Sequence, residues 1–298
     1  MSETIAVIGL GAMGLALATR LHGAGHAVTG CDLRAESRNA FAAIGGSATQ
    51  DAKAAVQGAS VVILFVVNAD QVDAILFDGG VLEATAPETT IISMVTSPPA
   101  RAAATAARVE ATQRAYLDAP VSGGVPGIEN GTLTIMASGP DRSFDRVAPL
   151  LRSIGSNTFR VGPEAGQGSA MKTVNQLLAG VHIAAAAEAL ALAEKAGIDA
   201  ALALEILTSG AASSWMLANR GPRMIDPGDT VASAVDIFVK DLGIVLDAGT
   251  KSRLGLPLSA AAHQQFLNAS GMGLGATDDS QVVEVYRAMS KRSTTSDA

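Results

Sequence analysis

The chain has 298 residues, enough for two domains with a core each; 48% are apolar but only 3% are aromatic. Alanine, glycine, valine and leucine must then fill the interior, which suits helices packed closely on a parallel sheet. A formal net charge of −7 with no Lys/Arg run leaves no basic surface to neutralise phosphates, so nucleic acid is excluded as a partner.

In chain order, Ile5-Ala6-Val7-Ile8 is a short apolar run that reads as a buried strand. It enters Gly9-Leu10-Gly11-Ala12-Met13-Gly14, after which residues 15–21 take helical spacing. A second apolar stretch around Val28 ends at Asp32, eighteen residues beyond Gly14. Such a turn brings backbone against a pyrophosphate at a helix N-terminus, and the later acid reaches a ribose hydroxyl. Strand before, helix after and acid at this distance lift the glycine triplet above chance. The N-terminus carries no basic stretch and only four apolar residues before the turn, unlike a signal peptide. Cys31 is the only cysteine, so no internal disulfide forms and a reducing compartment is expected; it reads as a small residue at a strand end.

Residues 61–67 are seven apolar residues in a row, the pattern of a strand buried on both faces. A weaker strand candidate at residues 90–93 precedes Pro98-Pro99, where proline can open a helix. Tyr116-Leu117-Asp118-Ala119 runs into Pro120-Val121-Ser122-Gly123-Gly124, and residues 132–137 and 157–161 supply late strands. This alternation predicts an α/β, Rossmann-like, doubly wound and mainly parallel sheet. Near Gly162 the texture turns helical, with turn signals near Gly197, Gly210, Pro227-Gly228 and Gly255. The expected division is therefore a dinucleotide domain over 1–163, an all-α domain over 164–290, and a disordered tail over 291–298.

Residues 177–193 are almost wholly apolar, but His182 and Glu188 interrupt them and Glu194-Lys195 close them. Such punctuation favours a buried central helix over a membrane span, and a soluble, cytoplasmic protein. At the head of this helix Lys172, Asn175 and Gln176 stand at i, i+3 and i+4 and share one face. A lone lysine there would snorkel to water or pair with a carboxylate. A nucleotide domain ending just upstream favours a catalytic reading instead, with Lys172 between the domains and facing the nicotinamide.

Four segments together resemble the β-hydroxyacid dehydrogenase family, related to 3-hydroxyisobutyrate dehydrogenase, over essentially the whole chain except the tail. They are residues 9–14, residues 118–124, the glycine-lysine-asparagine helix start at 166–176, and Lys240-Asp241-Leu242-Gly243. Further segments, Val66-Val67-Asn68-Ala69, residues 177–185, Ser214-Trp215-Met216, Asn219-Arg220 and residues 233–241, resemble the branch that oxidises the C2 hydroxyl of a four-carbon sugar acid with NAD.

The resemblance implies a small hydroxy acid as substrate, its carboxylate held by Ser122, Gly123 and Gly124, a hydroxyl and successive amides that suit an anion. It implies Lys172 as general acid/base, for which its pKa must drop from about 10.4 to about 8, roughly 3 kcal/mol. Asn175 would bond the reacting hydroxyl or orient the lysine, and Gln176 is left open. Gly9, Leu10, Gly11, Ala12, Met13, Gly14, Asp32, Val67, Asn68, Thr96 and Lys240 are assigned to the cofactor, although a plain surface ion pair between Lys240 and Asp241 is the alternative. Asp32 favours the free ribose hydroxyl of NAD, while Arg34 nearby could recruit the phosphate of NADP. Ser233 departs from the family, which often has phenylalanine there, and suits a polyhydroxylated substrate. No metal is expected, since His22, His26, His182 and His263 show no ligand spacing. Homodimers or homotetramers are common in the family. The alternatives are a tartronate semialdehyde reductase, a 3-hydroxyisobutyrate-type dehydrogenase, an imine reductase (which usually lacks this lysine) and a non-catalytic dinucleotide-binding module.

Overall fold

The computed structural model describes residues 2–228 and 231–291. It has two compact units, one ending at Thr173 and the other beginning at Val174.

The first unit is built on nine strands: β1 (Thr4–Ile8), β2 (Ala27–Cys31), β3 (Ser47–Thr49), β4 (Val61–Leu64), β5 (Thr90–Ser93), β6 (Ala115–Asp118), β7 (Val121–Ser122), β8 (Thr134–Ser138) and β9 (Asn157–Gly162). Six of them run parallel in the order β3-β2-β1-β4-β5-β6; β8 lies antiparallel to β6 and β7, and β9 is parallel to β8. The strands alternate between two apolar layers: Ile5 and Val7 join Leu17, Phe41 and Leu151 on one face, Ala6 and Ile8 join Leu76, Leu82 and Tyr116 on the other. Burial on both faces is why they read as unbroken apolar runs. The chain leaves β1 toward β2 but returns from β3 to β4 on the other side. In open sheets of this kind ligands bind beyond the C-terminal strand ends at such a reversal, which here are the ends of β1 and β4.

The strand expected over 61–67 stops at Leu64. Phe65 donates its amide to Ile8 O, the last ladder bond, and the chain then crosses the glycine turn, leaving Val67 half exposed. The short β3 and β7 carry too few residues for a periodicity to show. The helix after the glycine turn begins at Ala12, inside the motif, and runs to Gly23.

By compactness the two units divide inside the helix Gln167–Lys195. The physical reason is that the first turn of this helix is hydrogen-bonded to strand residues of the sheet, Gly168 and Ser169 included.

In the second unit that helix is followed by Ala200–Ser209, Trp215–Ile225, Val235–Ser252, Pro257–Ala269, the short Ser270–Leu274 and Asp279–Val282, and Val283–Lys291. Ile183, Ala187, Leu190, Phe238, Leu242, Val245 and Phe266 form its core, with the Phe238 and Phe266 rings stacked 5.1 Å apart. By length and composition Gln167–Lys195 could cross a bilayer, but its alanines and Ile183 pack into this core. A Cβ at Gly180 would meet Leu242 at 2.8 Å, so the missing side chain lets the two longest helices close on each other. Buried ion pairs, Arg220 with Asp279 and Arg223 with Asp278, fasten Trp215–Ile225 to Asp279–Val282. The expected tail, Lys291 apart, lies outside the described residues.

Candidate active site

The three glycines of the turn have different reasons to be there. Gly9 has φ +99°, and a Cβ on it would sit 2.4 Å from Phe65 O. A Cβ on Gly14 would sit 1.9 Å from Gly9 O, so this glycine lets the helix start pack onto the turn. Gly11 is different: its Cβ would meet only Arg34 Nη2, at 3.9 Å, and its φ of −63° suits any residue. Nothing in the protein demands glycine at 11, which fits a ligand whose phosphates approach the backbone there. The helix Ala12–Gly23 has no side-chain cap and no acid in its first turn, leaving its amide end available to an anion.

Asp32 follows β2 and is held from every side. Its Oδ2 accepts from the Leu10 amide at 2.8 Å and from Arg34 Nη2 at 3.2 Å, and its Oδ1 from the Arg34 amide at 2.9 Å and Nε at 3.1 Å. Burial pushes the carboxyl up, but the bonds from Arg34 and Leu10 outweigh it and hold Asp32 below the usual carboxylate range. Next to it Cys31 is buried, and burial together with the Asp32 and Asp51 charges pushes its thiol up to about 11, so it stays a neutral packing residue.

The other cofactor candidates of this unit follow neighbouring strands. Val67 and Asn68 follow β4: Gln71 Oε1 accepts from the Val67 amide at 2.8 Å, and Asn68 Oδ1 accepts from the Gln71 amide at 2.9 Å, capping Ala69–Asp73. Thr96 follows β5 and is half-buried. Gly9–Gly14, Asp32, Val67-Asn68 and Thr96 thus stand beyond the C-terminal ends of β1, β2, β4 and β5, the edge the fold reserves for a dinucleotide. These residues fit the group. Ser122 ends β7, and Gly123 (φ +126°) and Gly124 (φ +65°) turn the chain directly after it, a conformation that L side chains resist.

Asp118, which the sequence offered only as part of a motif, organises the head of the long helix. It ends β6, is buried, and accepts from the amides of Gly166 (2.9 Å) and Ser169 (2.8 Å) and from the hydroxyls of Ser169 (2.8 Å) and Ser138 (3.2 Å). Burial pushes its carboxyl up against the pull of these donors. Ser138 Oγ in turn accepts from the Gly168 amide at 2.8 Å. Four residues beyond Gly168 comes Lys172, buried at 7% exposure, on the same helix face as Asn175 and Gln176.

Within the second unit the remaining candidates form one chain of hydrogen bonds. Asn175 Nδ2 donates to Gln176 Oε1 at 2.9 Å, Gln176 Nε2 donates to Asp241 Oδ2, and Lys240 Nζ donates to Asp241 Oδ1. The Lys240 ammonium, expected at the cofactor, therefore rests on Asp241, which is a buried group and not one half of a surface pair. Sequence reasoning missed Gln176 and Asp241 as partners because they lie 65 positions apart. Among the described residues no three His, Cys, Asp or Glu side chains gather as a metal site would require.

Residues 4–162 match the family described as the NAD binding domain of 6-phosphogluconate dehydrogenase, and residues 166–286 the one described as NAD-binding of NADP-dependent 3-hydroxyisobutyrate dehydrogenase. An L-threonate dehydrogenase of Cupriavidus necator is 45% identical over 96% of this chain and 97% of its own. A 2-hydroxy-3-oxopropionate reductase of Escherichia coli is 32% identical over 95% of this chain and 96% of its own. A crystal structure of a 3-hydroxyisobutyrate dehydrogenase from Salmonella typhimurium is 40% identical and superposes with a TM-score of 0.90, covering 94% of this chain and 99% of that one.

Proposed function

The chain belongs to the β-hydroxyacid dehydrogenase family, oxidoreductases that act on a CH–OH group with NAD(P), and from that premise we propose that it oxidises L-threonate at C2 to the 2-oxo acid with NAD. The observation that carries the chemistry is Lys172: a buried amine on the face of Asn175, on a helix whose first turn Asp118 pins to the sheet. Bound NAD supplies the acceptor for the C2 hydride. The protein does the rest. Neutral Lys172 takes the hydroxyl proton as the carbon–oxygen double bond forms, the role of a general base. Ser122 and the amides of Gly123 and Gly124 hold the carboxylate, which fixes which carbon faces the cofactor. Asn175 orients the hydroxyl or the lysine. Asp32, ionised and aimed by Leu10 and Arg34, accepts from a ribose hydroxyl and repels a phosphate at the same place, which favours NAD over NADP.

The choice of L-threonate rests on the Cupriavidus necator relative and on Ser233, small and polar just before the helix Val235–Ser252. A second reading, reduction of tartronate semialdehyde or oxidation of 3-hydroxyisobutyrate, draws on the other two relatives. A panel of L-threonate, D-glycerate and 3-hydroxyisobutyrate with NAD decides between them, the highest kcat/KM naming the substrate. Lys172→Ala on the best substrate should lower kcat by about 10³-fold or more while NAD still binds, measured by fluorescence titration. Binding of NAD without oxidation of any hydroxy acid would point to a non-catalytic dinucleotide module instead. The proposal also takes the enzyme to be cytoplasmic and self-associating. Leu192, Leu202, Ile206 and Leu258 are large exposed apolar residues of the second unit, and a sedimentation measurement showing a monomer would refute the association.

A further inference from the structure

We infer that Gln176 and Asp241 are positioning residues that fix which end of the Asn175 carboxamide is offered to the reacting groups. The inference rests on the base role proposed for Lys172 and adds a device that the base alone does not need.

Hydrogen-bond polarity runs through these side chains in one direction. A carboxylate only accepts, and an ammonium only donates. Asp241, 2% exposed, receives Lys240 Nζ on Oδ1, so its Oδ2 can be satisfied only by a donor. Gln176, 6% exposed, must therefore turn Nε2 toward Asp241. That leaves Gln176 Oε1, again an acceptor, facing Asn175, and Asn175 answers with Nδ2 at 2.9 Å. That bond commits the Nδ2 end of Asn175 to Gln176 and leaves Oδ1 as the end for the reacting groups. A carboxamide alone would sample both orientations, since its two ends differ little in shape. The salt-bridged carboxylate, two links away, removes one of them. Oδ1 then accepts from an N–H or O–H donor, the amine of Lys172 or the hydroxyl of the substrate, and fixes the line along which the proton moves. The two central links, Gln176 and Asp241, are buried, which makes the polarity costly to violate there.

In Asp241→Asn, Lys240 still donates to Oδ1, so the new Nδ2 points at Gln176; Gln176 must flip, and Asn175 then turns Oδ1 inward and shows Nδ2. The change is isosteric, and kcat should fall about 10- to 100-fold, with KM for the hydroxy acid moving less than about threefold. Adding Asn175→Asp to that variant restores an acceptor at both ends and should recover about fivefold or more of the lost kcat. Asn175→Asp alone sets a carboxylate against Gln176 Oε1 and should be at least as impaired as Asp241→Asn. The substrate is whichever hydroxy acid the wild type oxidises fastest, so the identity of the sugar acid does not enter. Should Asp241→Asn fail to fold, Gln176→Met keeps the volume, removes both amide ends, and should lower kcat about tenfold. A Lys172→Ala variant that keeps its rate overturns the base assignment and this inference with it. An inactive Lys172→Ala beside an Asp241→Asn enzyme within about twofold of wild type, or a double variant no better than the singles, overturns the relay alone.

Discussion

At the glycine turn the groups proposed to meet the ligand are backbone amides, and side chains matter by being absent. At the head of the long helix they are side chains, and the backbone serves as a rail. The turn has three glycines within six residues and one acid after the next strand, so its parts are neighbours in the chain. The helix head draws its parts from far away: Asp118 holds Ser169 across 51 positions, and Asp241 holds Gln176 across 65. The turn is set by close backbone packing, whereas the helix head is set by the polarity of its hydrogen bonds. Both devices fix their groups on regular elements, one by shape and the other by charge.

The largest effect on stability is expected inside the turn. Gly14→Ala thrusts a methyl group into Gly9 O and should destabilise the first unit by about 3 kcal/mol, lowering the melting temperature by roughly 6–12 °C. Gly11→Ala, three residues away, meets no protein atom closer than 3.9 Å and should leave the melting temperature within about 2 °C, yet weaken NAD roughly tenfold by calorimetry. If both variants melt early and bind normally, the division between a packing glycine and a ligand glycine is wrong.

Next in size is the anchor of the long helix. Asp118→Ala orphans the amides of Gly166 and Ser169 and two hydroxyls, and should cost about 2–3 kcal/mol in urea unfolding. Asp118→Asn keeps the shape and one acceptor and should cost about half as much. A drop in kcat larger than the drop in stability explains would show that the anchor aims Lys172 as well as holding the fold. An Asp118→Ala protein as stable as wild type removes the anchor altogether.

The same contrast decides what could be read in the sequence. The doubly wound sheet, the glycine turn and Asp32 were legible because their signals are local: apolar runs, glycine spacing, an acid at a strand end. The change to an all-α half was legible as the loss of strand runs after Gly162. The end of β4 was not, because Val66 and Val67 are as apolar as the strand they follow; only the crossing over Gly9 shows why the ladder stops. Nor was the boundary within the long helix, since the bonds that assign its first turn to the sheet come from Asp118 and Ser138. Gln176 sat beside a recognisable asparagine, and its importance appears only when its partner Asp241 does.

The smallest effect expected returns to the acid of the turn. Asp32→Ser removes the charge but leaves a hydroxyl, and should shift the ratio of kcat/KM for NADP over NAD by about tenfold, or 1.4 kcal/mol. Arg34, released from Asp32, is then placed to receive the phosphate, so Asp32→Ser/Arg34→Ala should give back most of the gain. The pH dependence follows from the direction of the Asp32 shift. Its folded carboxyl lies below its unfolded value of about 4, so its contribution to stability is complete above that value and is lost as pH falls through the depressed one. NAD affinity should accordingly stay level from pH 8 down to about 5, where an unshifted acid is still largely ionised, and persist below 4, where such an acid is not. A loss of NAD binding centred on the ordinary carboxylate range would mean that Arg34 and Leu10 do not hold Asp32 in its ionised form.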